Sequence, residues 1–125
     1  MSGISSFEDL ECYKECRALR IQISELVKTF ESSEKFRLVD QMLRCSRSVT
    51  NNIAEGYGRF HYRENAQFCR QSRGSLYELS DHVTVAADER YIDESKKSEL
   101  QDRIEKCIKI LNGYIKYLLA QTNNQ

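Results

Sequence analysis

Two histidines, five cysteines and nineteen carboxylates could serve this 125-residue chain as acids, nucleophiles or metal ligands. Their spacing assembles none of the familiar sites. A carboxylate-bridged dimetal bundle needs two Glu-x-x-His units plus further glutamates, and neither His61 nor His82 has a glutamate three positions earlier. Helical ribonucleases built on an arginine followed by a histidine lack their arginine here, since none stands four to six residues before either histidine. No GxxxxGK[ST] phosphate loop or GxGxxG turn occurs, and Gly56-Tyr57-Gly58-Arg59 is only a two-glycine turn. Cys12 and Cys16, one helical turn apart, could hold a soft metal, but no second pair completes a tetrahedral set. Cys45, Cys69 and Cys107 make the count odd, without a Cys-x-x-Cys pair. That reads as free thiols in a reducing compartment, most of them packed as small hydrophobes. The expectation is a non-enzymatic protein with no cofactor and no catalytic or metal site.

Charge points to a different kind of chemistry. The chain is neutral overall, with 19 basic and 19 acidic residues. Between Lys35 and Arg73, however, Lys35, Arg37, Arg44, Arg47, Arg59, Arg63, Arg70 and Arg73 face only Asp40, Glu55 and Glu64, so this segment carries 8 − 3 = +5 and the remainder −5. Arg37, Arg44 and Asn51 share the outermost heptad position of one helix, and Arg63 and Arg70 repeat a heptad apart on the next. Side by side, these stripes would merge into one basic face, with Asn51 and Gln67 as neutral hydrogen-bonding groups. Such a face suits the phosphates of RNA or DNA, and a ring of subunits would repeat it and add avidity. The other reading pairs these arginines with acidic residues of the remaining helices or of a neighbouring subunit. Tyr57, Phe60, His61, Tyr62 and Phe68 are interleaved with Arg59 and Arg63. They either stack on unpaired bases or plug a bundle end and meet another subunit.

The elements that must position these residues are four amphipathic helices. Ser5 and Ser6 precede an acidic turn, Glu8-Asp9, an N-cap signal. Cys12, Cys16, Leu19, Ile23, Leu26 and Phe30 then alternate at spacings of four and three. The polar string Glu31 to Lys35 breaks that stripe. Val39, Met42, Ser46, Val49 and Ile53 continue it in helix two, which is expected to stop at Gly56 and Gly58 in left-handed caps. Helix three runs from about Tyr62 through Cys69, Ser72, Leu76, Leu79, Val83 and Ala86, and a turn follows from Asp88 to Asp93. Helix four starts near Asp93 to Ser95 and carries Leu100, Ile104, Cys107, Leu111, Tyr114 and Leu118. The absence of proline suits long helices. Short connections predict an all-α, antiparallel, up-down-up-down four-helix bundle in a single domain over 1–125, frayed at about 1–5 and 121–125. No stretch reaches the length of a membrane span, and the first residues lack a signal-peptide pattern, so a cytoplasmic location is expected.

Helix four is apolar beyond its stripe, with Ile108 and Ile115 on one flank and Ile110 and Tyr117 on the other. A helix covered only by its own bundle needs a stripe and one flank, so the other flank predicts self-association. Elsewhere, Glu55 opposes the macrodipole at the end of helix two and calls for a donor, Arg59 or Arg63. Glu78 lies about level with Gln41 and Arg44, and Gly74 and Ser75 are small enough to admit a neighbouring helix.

The string Val49 to Arg59, VTNNIAEGYGR, followed by RGSLYEL at Arg73 to Leu79, resembles the signature of the proteins encoded in intervening sequences of bacterial 23S ribosomal RNA genes. Its matched positions are Asn51, Asn52, Glu55, Gly56, Gly58, Gly74, Ser75 and Glu78, and FEDLECYKECRALR and the C-terminal helix fit as well. The resemblance implies a four-helix bundle, a ring-shaped homopentamer and no established reaction. Related small bundles act as reverse-transcriptase accessory factors, which implies nucleic acid or a protein as partner. The expected function is therefore a self-associating bundle that binds nucleic acid through helices two and three. The alternative is a ring-forming adaptor or assembly factor for another protein.

Overall fold

The computed structural model describes residues 4–30 and 35–122. Residues 31–34 of the polar break, and 1–3 and 123–125 of the expected frayed ends, lie outside them. Four helices, α1 (Glu11–Val27), α2 (Lys35–Gly58), α3 (Tyr62–Asp88) and α4 (Glu94–Gln121), pack as an antiparallel up-down-up-down bundle. The expected fold class holds, with no β-strand among the described residues.

Ser6 does act as a cap, but of a separate 3-10 turn at Phe7–Asp9, where it exchanges hydrogen bonds with Asp9 in a capping box. α1 begins only at Glu11. α4 opens as expected on Asp93, which accepts from the Lys96 amide at 2.8 Å.

One core runs through all four helices. Leu19 and Ile23 of α1, Met42, Val49 and Ile53 of α2, Leu76, Leu79 and Val83 of α3, and Leu100, Ile104, Leu111 and Leu118 of α4 are fully buried within it. At the ends of two stripes the buried residue differs from expectation. Val27 replaces Leu26 and Leu38 replaces Val39, because a helix of 3.6 residues per turn drifts from a strict heptad and favours another step of four. Phe30 lies beyond α1 and still completes the core, stacking on Tyr91 with ring centroids 5.1 Å apart.

The glycines depart most from the sequence reading. α2 continues through Gly56 to Gly58, and neither adopts positive φ. The left-handed residue after α2 is Phe60, at φ 58°. Gly56 is needed for closeness instead: a Cβ there would stand 2.8 Å from Asn65 Oδ1, 2.9 Å from Phe68 Cβ and 3.0 Å from the Asn65 carbonyl oxygen. Gly74, expected to admit another helix, is exposed, and a Cβ on it would meet nothing within 4 Å. Its neighbour Ser75 does face α2.

Small polar residues knit that α2–α3 seam. Ser72 Oγ donates to the Val49 carbonyl at 2.7 Å, the Ser48 and Ser75 hydroxyls lie 3.0 Å apart, and Cys45 Sγ donates to the Ser75 carbonyl at 2.9 Å. Each leaves a polar group satisfied where an unpaired one would cost about 1–3 kcal/mol. Between α3 and α4, the Gln101 amide donates to the Ser80 carbonyl at 2.9 Å while its oxygen accepts from Ser80 Oγ at 2.6 Å.

Candidate nucleic-acid interface

The arginines expected on one face are exposed, apart from half-buried Arg73, but they divide into two groups. Arg37, Arg44, Arg47 and Asn51 stand on the outer surface of α2. On α3, Arg73 Nη1 donates to Asn112 Oδ1 of α4 at 2.8 Å. Arg70 and Arg63, three and ten residues earlier, share that side of the helix, turned away from α2, and Gln67 is exposed nearby. The two stripes therefore do not merge as expected. The α2–α3 turn between them carries a charge-compensated cluster, in which Arg59 reaches Glu55 at 2.9 Å and Glu64 at 3.8 Å and lies 5.0 Å from the Phe68 ring centroid. Glu55 thus has the donor predicted for it. Glu78 lies 3.3 Å from His82 on its own helix and not against Gln41 or Arg44 across the hairpin; Arg44 meets Asp40, one turn back, at 3.4 Å.

Where α2 meets α1, the arginines do converge. A groove of about 700 Å³ is lined by Arg20, Arg44, Arg47 and Asn51, with the Phe7 and Tyr13 rings at one wall. Arg20 comes from α1. Its Nη1 donates to Thr50 Oγ1 at 2.9 Å, which pins the guanidinium against the wall while leaving other N–H donors free. Arg47 makes no ion pair among the described residues. The Arg44–Asp40 pair is mostly exposed, a class worth about 0–1 kcal/mol, so an anion competes for Arg44 at little cost. Three guanidiniums and no carboxylate line the groove, while Asp40 meets Arg44 at its rim and Glu25 lies beyond Arg20 and Arg47 in the adjoining hollow. Arg20 was missed in sequence; the signal was an arginine beside the Leu19–Ile23 core stripe, on a flank that must meet a neighbouring helix.

A second cleft, about 720 Å³, opens at the bundle end where α2 and α4 finish and α3 begins. Tyr57, Phe60, Tyr62, Tyr114 and Tyr117 line it with His61 and Lys109. The aromatics expected to plug this end do so only in part: Tyr57 and Tyr62 are half-buried, whereas Phe60 is 83% exposed. Beneath the cleft Asn65 Nδ2 donates to the Tyr114 hydroxyl at 3.0 Å, while Asn65 Oδ1 accepts from Cys69 Sγ at 3.5 Å. Asn65, four residues before Cys69 on a core stripe, was legible as a polar intruder but was not singled out. Burial raises the Tyr114 hydroxyl above the usual phenol range.

Helix four's surplus apolar surface is largely covered within the chain. Ile108 and Ile115 are buried and Ile110 is half-buried, so Tyr117, at 52% exposure, is what remains of the four residues expected at a subunit interface. The five thiols are all buried and free. Burial first, and then the charge of neighbouring groups, pushes Cys12 and Cys45 up to about 12, and burial does the same to Cys69.

Fold and interior together define an all-α four-helix bundle whose buried polar groups tie helix to helix. The model of the 23S rRNA-intervening sequence protein family matches residues 8–113. The chain belongs to that family. A comparison with curated proteins returns no match. No helix among the described residues is long and apolar enough to cross a membrane.

Proposed function

We propose that the protein is a cytoplasmic nucleic-acid-binding bundle that takes the phosphate backbone of RNA, or of another nucleic acid, into the groove between α1 and α2. The observation that carries this reading is that Arg20, Arg44 and Arg47 line one concave surface with no carboxylate among its lining residues. Guanidinium forks match phosphate oxygens bidentately. Asn51 adds a neutral donor and acceptor, and half-buried Phe7, packed on the buried Tyr13 ring, forms an apolar wall beside the charges. Homo-oligomerisation, as a pentamer by family resemblance, would repeat the groove around a ring.

The test is a titration of labelled single-stranded RNA and duplex DNA at two salt concentrations. Arg44→Glu with Arg47→Glu should weaken binding and reduce the salt slope on single strands by about 1.4, from roughly 0.7 per phosphate contact. Arg63→Glu with Arg70→Glu, on the other side of the hairpin, should leave the slope nearly unchanged. No binding to either nucleic acid at low salt, where electrostatic attraction is strongest, overturns the reading.

The runner-up is a ring-forming adaptor or assembly factor, including a reverse-transcriptase accessory-like role, and it draws on the exposure of Phe60 and Tyr117 at the aromatic cleft. It predicts no nucleic-acid affinity, and loss of a protein partner on Phe60→Ser. A monomeric mass by light scattering at micromolar concentration removes the ring from both readings.

A further inference from the structure

Cys45 of α2 and Glu78 and His82 of α3 meet at the helix seam, with the Cys45 Sγ, a Glu78 carboxylate oxygen and a His82 ring nitrogen all within 4.8 Å of one another. Glu78 and His82 are four residues apart, so they stand one above the other on α3, and His82 Nε2 is 3.3 Å from Glu78 Oε2. Cys45 is buried and the His82 side chain is 12% exposed, while the Glu78 side chain, at 61%, forms the solvent edge. We propose that this thiol–imidazole–carboxylate set is a binding site for a borderline-soft divalent metal, Zn²⁺ above all, clamping α2 to α3.

The donor chemistry selects the metal. Calcium and magnesium take oxygen ligands, whereas a mixed sulfur, nitrogen and oxygen set suits zinc. Zn–S, Zn–N and Zn–O bonds of about 2.0–2.3 Å place tetrahedral ligands roughly 3.3–3.8 Å apart. The His82–Glu78 separation already falls there. The two separations from Cys45 Sγ, each within 4.8 Å, shorten to this range through side-chain rotation of the three ligands, Glu78 being the exposed one. On binding, the Cys45 S–H bond breaks, its proton leaves to solvent and the sulfur lone pair forms the S–Zn bond; Cys45 then no longer donates to the Ser75 carbonyl. Burial and the Glu78 charge both oppose the thiolate in the metal-free chain, and the cation offsets both. Water takes the fourth position at the Glu78 edge. Cys45, Glu78 and His82 line neither the basic groove nor the aromatic cleft, so the metal's role is to fix the interhelix register, independently of nucleic-acid binding.

The full-length reduced protein is titrated with Co²⁺ and then with Zn²⁺. One equivalent of Co²⁺ should produce a thiolate-to-cobalt charge-transfer band that Zn²⁺ displaces. Cys45→Ser should abolish the band although four other cysteines remain, and Cys12→Ser should preserve it. Glu78→Gln, a surface change that leaves the core intact, should weaken Zn²⁺ binding at least tenfold, about 1.4 kcal/mol, and His82→Ala should do the same. Absence of the band in the parent protein, or its persistence in Cys45→Ser, overturns the proposal. So does unchanged Zn²⁺ affinity in Glu78→Gln.

Discussion

Gly56 and Gly74 sit inside neighbouring helices, and the same substitution at each should have opposite effects. Gly56→Ala sets a methyl group 2.9 Å from Phe68 Cβ and 3.0 Å from the Asn65 carbonyl oxygen, as well as 2.8 Å from Asn65 Oδ1. The first two belong to, or hang directly on, the α3 backbone, so relief requires the helices to part where the Asn65–Tyr114 bond begins. Overpacking of this kind costs typically about 1–3 kcal/mol, partly offset by the roughly 1 kcal/mol that alanine contributes over glycine in a helix. Gly74→Ala has the helical gain without the clash, since its Cβ meets nothing within 4 Å. Subtracting one variant from the other removes the shared propensity effect and leaves the packing cost, about 1–3 kcal/mol. For a domain of this size that difference separates the two melting temperatures by roughly 4 °C per kcal/mol. Urea denaturation followed by helical circular dichroism, at equal protein concentration and with matching m-values, measures it directly. Coincident midpoints for the two variants would refute the claim that Gly56 is there to let α2 approach α3.

Alkaline pH should destabilise the fold through the buried thiols. Cys12, Cys45 and Cys69 are raised from 9.0 to about 12 in the folded chain; it therefore holds protons that the unfolded chain releases. Their contribution is fully present below about pH 9 and is lost as pH rises toward 12, at up to about 1.36 kcal/mol per thiol per pH unit. A urea midpoint that stays constant from pH 8 to pH 10.5 would contradict this. Tyr114→Phe should cost about 1–3 kcal/mol, because it leaves the buried Asn65 amide without its acceptor. A denaturation midpoint equal to that of the parent would show that solvent replaces the hydroxyl.

Periodicity made the fold legible because burial and helical repeat express one constraint: every core position of α3 named from the stripe, from Cys69 to Ala86, is buried. It misled where two physical causes share one residue type. Glycine signals either positive φ or close approach, and in α2 the local pattern favoured the first while the α3 backbone demands the second at Gly56. The candidate site was half legible. Heptad spacing placed Arg44 and Asn51 on the outside of α2, but it could not say which neighbour that surface slopes toward. A hydrogen bond from Arg20 to Thr50, 30 residues away, decides that α1 supplies the third guanidinium. Apolar width in α4 overstated an interface for a similar reason: flank residues such as Ile108 and Ile115 count as surplus only if the neighbouring helices of the chain do not reach them.

The string that marks the family is occupied mainly with packing. Asn52 folds back onto Ser48, with its amide 2.9 Å from that residue's carbonyl oxygen, Glu55 holds Arg59, and Gly56 admits α3. In the second string Ser75 meets Ser48 and offers its carbonyl to Cys45. A change at these positions alters the α2–α3 seam before it alters any surface. Arg44 and Arg47 lie outside these strings on the exposed surface of α2, whereas Arg20 ends the N-terminal string FEDLECYKECRALR and is bonded to Thr50. The contacts these two strings make account for the α2–α3 seam and place no constraint on the charges of Arg44 and Arg47 in the α1–α2 groove. Nucleic-acid affinity should accordingly fall with Arg44→Glu and Arg47→Glu although both strings and the fold stay intact.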